Sequence, residues 1–116
     1  MKLNYFDTLY QRNATMMIVG PLNFWPTGFE FGHMGHGTRI SYEEAQILTP
    51  ESDSLLKVTY YSPNYNCPIQ VFAEGSIEFH EDGIFFTTEG RSGAIDYTKL
   101  MTLEEVPKDA IQTLEI

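Results

Sequence analysis

The chain is poor in cysteine and in basic residues, and it has no long apolar run. Cys67 is the single cysteine in 116 residues, so a disulfide-stapled scaffold is excluded. Lysine and arginine number seven against sixteen aspartates and glutamates, a formal net charge of −9. Such a charge repels phosphate backbones and anionic headgroups, which speaks against direct contact with nucleic acid or membrane. Nowhere do about 18 apolar residues run together, as a membrane helix requires. The stretch MKLNYFDTLYQR lacks the apolar centre of a signal peptide. These shortages lead us to expect one acidic globular domain in the cytoplasm. Aromatic residues, by contrast, are plentiful: seven Tyr, eight Phe and one Trp, too many for a disordered chain.

Sliding the sequence along itself by 55 positions gives an ungapped match of residues 2–56 with 57–111, with 11 identical pairs in 55. Ordinary residue usage would give roughly 3 by chance. The pairs are Lys2/Lys57, Tyr5/Tyr60, Tyr10/Tyr65, Gly20/Gly75, Phe24/Phe79, Gly28/Gly83, Phe31/Phe86, Gly35/Gly90, Ile40/Ile95, Tyr42/Tyr97 and Leu48/Leu103. They fall on glycines and alternating apolar positions, where a β fold needs them. The expectation is a single domain, residues 1–116, built of two pseudo-repeats at about 2–56 and 57–111. Pro50–Ser54 is the natural link between them.

The shared unit reads GPLNFWPTGFEF in the first copy and GSIEFHEDGIFF in the second. Leu22 and Phe24, like Ile77 and Phe79, alternate as strand residues with one buried face. Trp25–Gly28 and His80–Gly83 read as turns that return the chain antiparallel. His33–Arg39 and Thr87–Ala94 read as glycine-rich loops, after which Ile40/Tyr42 and Ile95/Tyr97 begin a third strand. Leu3–Phe6, Met16–Val19, Leu56–Tyr61 and Ile69–Ala73 have strand composition. Tyr42–Leu48 reads as that strand's continuation or a short helix. Lys108–Ile116 reads as a short C-terminal strand or helix. The fold class expected is all-β: a small barrel or two packed antiparallel sheets of about seven to eight strands from a duplicated β-meander.

The segments Gly75-Ser-Ile-Glu-Phe79, Gly83-Ile-Phe-Phe86 and Ile95-Asp-Tyr97-Thr-Lys-Leu100 with Leu103-Glu-Glu resemble the sheet hairpins of pleckstrin-homology-like and GRAM-like domains. The resemblance covers about 30 residues of the second half and is echoed in the first. Lipid-binding members of those families carry a basic cluster between their first two strands, whereas 2–19 holds only Lys2 and Arg12. The resemblance therefore implies a barrel used for protein contacts, and it transfers no functional residue.

Three segments could carry chemistry. Gly32-His-Met-Gly-His-Gly37 offers His33, Met34 and His36 as soft-metal ligands, but a closed site needs three or four convergent ligands. No cofactor is expected. His80-Glu-Asp82 sets an imidazole beside two carboxylates, yet adjacent residues of a turn point apart, and a solvated turn accounts for them. Cys67 reads as a small hydrophobe without a histidine close in sequence. GxSxG, GxGxxG and P-loop patterns are absent, so an enzyme is not expected.

The aromatic run Tyr60-Tyr-Ser-Pro-Asn-Tyr65 is more informative, and Tyr5, Phe6 and Tyr10 echo it. Tyrosine is favoured where a surface must be both apolar and hydrogen-bonding. Tyr5, Tyr10, Tyr60, Tyr61, Tyr65 and Trp25 are the candidate binding residues. Charge is uneven: residues 1–56 carry three basic and six acidic groups, residues 57–116 four and ten. The reading that follows is a non-enzymatic protein-interaction module with a protein partner or a second copy as its ligand. The alternatives are an acidic inhibitor, of phage or mobile-element type, that fills the basic groove of a nucleic-acid enzyme, and a small-molecule-binding β-barrel.

Overall fold

The computed structural model describes residues 1–33 and 36–109, with the side chains of His33 and His36 left aside. The described residues are all-β and antiparallel, as expected, but they form eleven strands. They are β1 Lys2–Asp7, β2 Arg12–Met17, β3 Leu22–Trp25, β4 Gly28–His33, β5 His36–Ser41, β6 Ala45–Thr49, β7 Ser54–Ser62, β8 Cys67–Phe79, β9 Gly83–Thr88, β10 Arg91–Asp96 and β11 Leu100–Pro107.

The higher count has a local cause. The stretches read as glycine-rich loops are largely the edge strands β5 and β10. Their solvent-facing residues are small or polar, which gives them the composition of a loop. Ile40 and Ile95 sit near the ends of these strands, and Tyr42 and Tyr97 lie in the turns beyond them. The stretch Tyr42–Leu48 is therefore a turn followed by β6. Most of Lys108–Ile116 lies outside the described residues.

Strand pairing divides at β8 into two six-stranded sheets, β2-β1-β6-β8-β9-β10 and β8-β7-β11-β3-β4-β5. We call them the first and second sheet. Both curl over one core, and among the described residues neither closes into a barrel. β8 serves both sheets because it bends at Gly75, which has φ +77°, where its ladder to β9 shifts register between Glu74 and Glu78. The corresponding stretch of the first half is broken outright between β2 and β3. There Gly20 has φ +97° and Pro21 brings no N–H to a ladder.

The registers of the two halves coincide at the offset of 55. Leu3↔Met16 and Asp7↔Arg12 in β1–β2 become Val58↔Val71 and Ser62↔Cys67 in β7–β8. Leu3↔Leu48 becomes Val58↔Leu103. The last strand of each half crosses over: β6 pairs Leu48↔Ile77 with β8, and β11 pairs Leu103↔Leu22 with β3. Each sheet is thus made of strands from both halves.

The inner faces hold the core. Leu3, Leu48 and Ile77 form one apolar row in the first sheet, and Val58, Leu103 and Leu22 its counterpart in the second, all fully buried. Each such side chain contributes about 1.5–3 kcal/mol by leaving water. Phe29 and Phe79 bridge the sheets with ring centroids 5.3 Å apart. At the centre Tyr42 and Tyr97 stack nearly parallel, centroids 3.5 Å apart and planes 7° apart. Their hydroxyls donate to the carbonyls of Trp25 and His80, residues that again differ by 55 positions.

One polar contact joins β11 to the chain start. The buried Met1 ammonium donates to Glu105 Oε1 at 2.8 Å and to the Ile18 carbonyl at 3.2 Å. The Glu51 N–H donates to Glu105 Oε2 at 2.6 Å. Burial opposes the charge on Glu105, but the ammonium and the Glu51 N–H outweigh it and hold the carboxyl below its ordinary value. A carboxyl lowered in the fold stabilises it above the unfolded pKa, and this contribution is lost as pH falls through the folded value. Glu105→Gln is expected to cost about 1–2 kcal/mol at neutral pH. The deficit should shrink as pH falls below the ordinary 4.5. Urea midpoints measured across that range check both statements.

Candidate functional site

Surface chemistry concentrates at the hairpin turns. β1 and β2 are joined by four residues, 8–11, and so are β7 and β8, by 63–66. Tyrosine is third in both loops and is followed by a left-handed residue, Gln11 (φ 53°) or Asn66 (φ 55°). Asn favours this region because its short side chain can bond locally. Tyr10 and Tyr65 are thereby carried at equivalent tips, 65% and 74% exposed. Arg12 places its guanidinium 5.2 Å from the Tyr10 ring centre, and Asp7 Oδ1 accepts the N–H groups of Leu9 and Tyr10. At the other tip the Tyr61 hydroxyl donates to Asn66 Oδ1.

The other candidates divide. Tyr5 and Tyr60 are equivalent residues of β1 and β7, and both pack against the core. Strand alternation then turns Tyr61 outward, 39% exposed. Tyr61 and Tyr65 therefore share one hairpin and Tyr10 stands on another. Trp25 lies on a third, where β3 turns into β4.

Trp25 belongs to a cleft of about 260 Å³ on the outer face of the second sheet, lined also by Thr27, Arg39, Ser41 and Glu44. Trp25 is opposite Gly28, and Gly28 is opposite Ser41. No side chain rises from Gly28, so Arg39 lies across the indole at 5.4 Å while its Nε donates to Glu30 Oε2 at 3.3 Å. Glu44 Oε1 accepts from both the N–H and the hydroxyl of Ser41. The equivalent cleft of the second half, about 310 Å³, is lined by Asp82, Phe85, Ala94, Asp96 and Lys99. Beside it the ring of His80 packs on Phe85 at 4.2 Å, with Nε2 3.9 Å from Glu78 Oε1. Asp96 is held below the ordinary carboxyl range because Thr98 donates to it through both hydroxyl and N–H. The two clefts share a backbone frame and differ in chemistry.

His33 and His36 are opposed at the ends of β4 and β5. Their side chains and Met34 lie outside the described residues. Among the described residues no three His, Cys, Asp or Glu side chains converge on a metal position. Cys67 is exposed at the start of β8. Glu104 is paired with Lys57 at 2.6 Å and Glu105 with the Met1 ammonium, so part of the acidic excess is neutralised internally. No helix among the described residues is long and apolar enough to cross a membrane.

The sequence reading did not single out Leu9, Met17, Val19 or Phe85, all between 43% and 88% exposed. Phe85 was readable in principle: it alternates with the buried Ile84 and Phe86 along β9. No family model, curated protein or solved structure matches the chain.

Proposed function

We propose that this chain is a non-enzymatic protein-interaction module whose principal contacts are the hairpin-tip tyrosines Tyr10 and Tyr65. One observation carries the reading. Seven identical pairs at the 55-residue offset are large apolar or aromatic residues, and six of them lie in the core or against it. Tyr10/Tyr65 is the exception, with both members exposed. The core accounts for the other six pairs and asks nothing of this one. Tyrosine at such a tip has a rigid apolar ring and a hydroxyl able to donate and accept, the combination enriched at interface hot spots. The likeness of the second half to pleckstrin-homology-like hairpins supports the same use.

The double variant Tyr10→Ser/Tyr65→Ser should keep the wild-type circular dichroism and unfolding midpoint. It should also lose partner capture, with each tip worth about 2 kcal/mol, near 30-fold in affinity. A photoreactive phenylalanine placed at 10 or at 65 should cross-link the same protein. The same probe at Asn13, on the strand behind the tip, is the comparison. Cross-linking no stronger at the tips than at 13 would end the reading.

A further inference from the structure

Among the described residues antiparallel β10 pairs with β9 alone. The Tyr97 N–H donates to the Asp82 carbonyl at 3.3 Å, just beyond the opposed residues Gly83 and Asp96. That bond makes Gly83/Asp96 a pair without mutual hydrogen bonds. Alternation then turns the backbone groups of Ser92, Ala94 and Asp96 away from β9. The Asp96 carbonyl accepts the Lys99 N–H at 3.0 Å, which leaves Ser92 and Ala94 as the open stretch of the edge. The side chains of these three residues are exposed on the outer face of the first sheet.

Folded proteins blunt such edges with proline, lysine, bulges or large charged side chains. Among the described residues two of the four edges fit that pattern, and β2 does not. The first half of β8 carries Pro68, β5 carries Arg39 across its outer face, and β2 presents Asn13, Thr15 and Met17. β10 presents only Ser92, Ala94 and Asp96, with Gly93 between them. It also ends in opposite charges, Arg91 at one end and Asp96 at the other. Two such strands laid antiparallel bring the Arg91 end of each beside the Asp96 end of the other, twice over. Laid parallel they would set like against like.

We propose that β10 is the docking edge for a second copy of this chain, joined antiparallel about a twofold axis at Ala94. The two first sheets then form one continuous twelve-stranded sheet. In this register Ala94 faces Ala94 of the second copy. Ser92 faces Asp96, where its hydroxyl can donate to the carboxylate. Outer faces stay on one side because the facing residues share parity along the strand. Phe85, which is opposite Ala94 and 43% exposed, continues the row. The row becomes Phe85–Ala94–Ala94–Phe85, apolar throughout and self-complementary as a twofold contact must be. The proposal does not depend on the role given to Tyr10 and Tyr65.

The test uses the purified full chain. Sedimentation velocity over a concentration series should show the mass rising from 13.3 kDa toward about twice that value. Ala94→Lys sets two ammonium groups face to face on the axis and should restore the monomer. Ala94→Pro removes an outward N–H that β9 does not use, and should do the same. Circular dichroism confirms that both variants are folded. Gln70→Lys, outward on the β8 edge, should leave the dimer intact. Two copies each of net charge −9 repel, so added salt should shift the equilibrium toward the dimer. Amide exchange at Ser92 and Ala94 should slow as protein concentration rises. A monomer at every concentration and salt level overturns the proposal. So does a dimer that both Ala94 variants leave unchanged.

Discussion

Tyr97→Ala should destabilise the protein by about 3–5 kcal/mol, the range for removing a buried aromatic ring from a packed core. Tyr97 is 7% exposed, and its ring is one half of the central stack with Tyr42. Its loss strips one face of Tyr42 and leaves the His80 carbonyl without its donor. Tyr42→Ala should cost a similar amount, because it empties the same stack and deprives the Trp25 carbonyl. The double variant should cost less than the sum, since the second substitution removes a ring already missing its neighbour. Urea unfolding of the three variants measures this directly.

The same pair sets an alkaline limit. Burial, and then the nearby Asp82 charge, push the Tyr97 hydroxyl from 10.0 to about 12. Burial first and the neighbouring Tyr97 second raise Tyr42 further still. A group whose pKa is raised in the fold supports stability fully below the unfolded pKa and loses that support as pH climbs through the folded one. Stability should therefore fall between pH 10 and about 12. Absorbance at tyrosinate wavelengths should show two tyrosines ionising only as the protein unfolds. Early ionisation of all seven would contradict the buried stack.

Gly83→Ala is expected to cost about 3 kcal/mol or more, the upper range for forcing atoms into filled space. A Cβ at Gly83 would overlap the Ile95 carbonyl oxygen of the next strand and sit 3.1 Å from Asp96 Cα. Both are main-chain atoms of a paired strand, so neither can swing aside as a side chain would. Gly28→Ala should behave alike, with its Cβ overlapping the Ile40 carbonyl oxygen and 2.9 Å from Ser41 Cα. The reference is Gly32→Ala, where no atom lies within 4 Å of the added carbon. That variant should stay within about 0.5 kcal/mol of wild type. Equal losses at 28, 32 and 83 would mean that steric exclusion is not what these glycines provide.

Gly28 and Gly83 also show how far the sequence could be read. They were legible as turn residues, because glycine after a strand and before a Phe-x-Phe or Ile-x-Phe run is a local signal. Their second role, letting a neighbouring strand come close, depends on Ser41 and Asp96 lying opposite, with the Ile40 and Ile95 carbonyls beside them, and had no such signal. Alternation in Leu22–Phe24 marked a strand with one buried face, as found, since a strand's period is a property of the chain itself. The edge strands β5 and β10 were misread as loops for the converse reason: solvent, and not a core, chooses their residues. The crossing of β6 and β11 into opposite sheets was not legible at all, because it joins residues far apart in the chain. At the surface, the tyrosines of both tips were visible as an aromatic surplus. The cation–π partners Arg12 and Arg39 were not, because a lone arginine carries no mark of the ring it will cover.

The crossing of the last strand of each half bears on how the chain is made. Leu22 is one of the fully buried residues, yet the strand that flanks β3 on its other side is β11, near the end of the described chain. During synthesis the β3–β4–β5 meander emerges with one flank of β3 bare and must wait until Leu103 is delivered. At about 5–20 residues per second that wait lasts on the order of several seconds. Throughout it a nascent chain exposes a strand edge and an apolar face that the finished protein never shows. The vulnerable period for this protein is thus its translation, and a stall between β3 and β11 would prolong it.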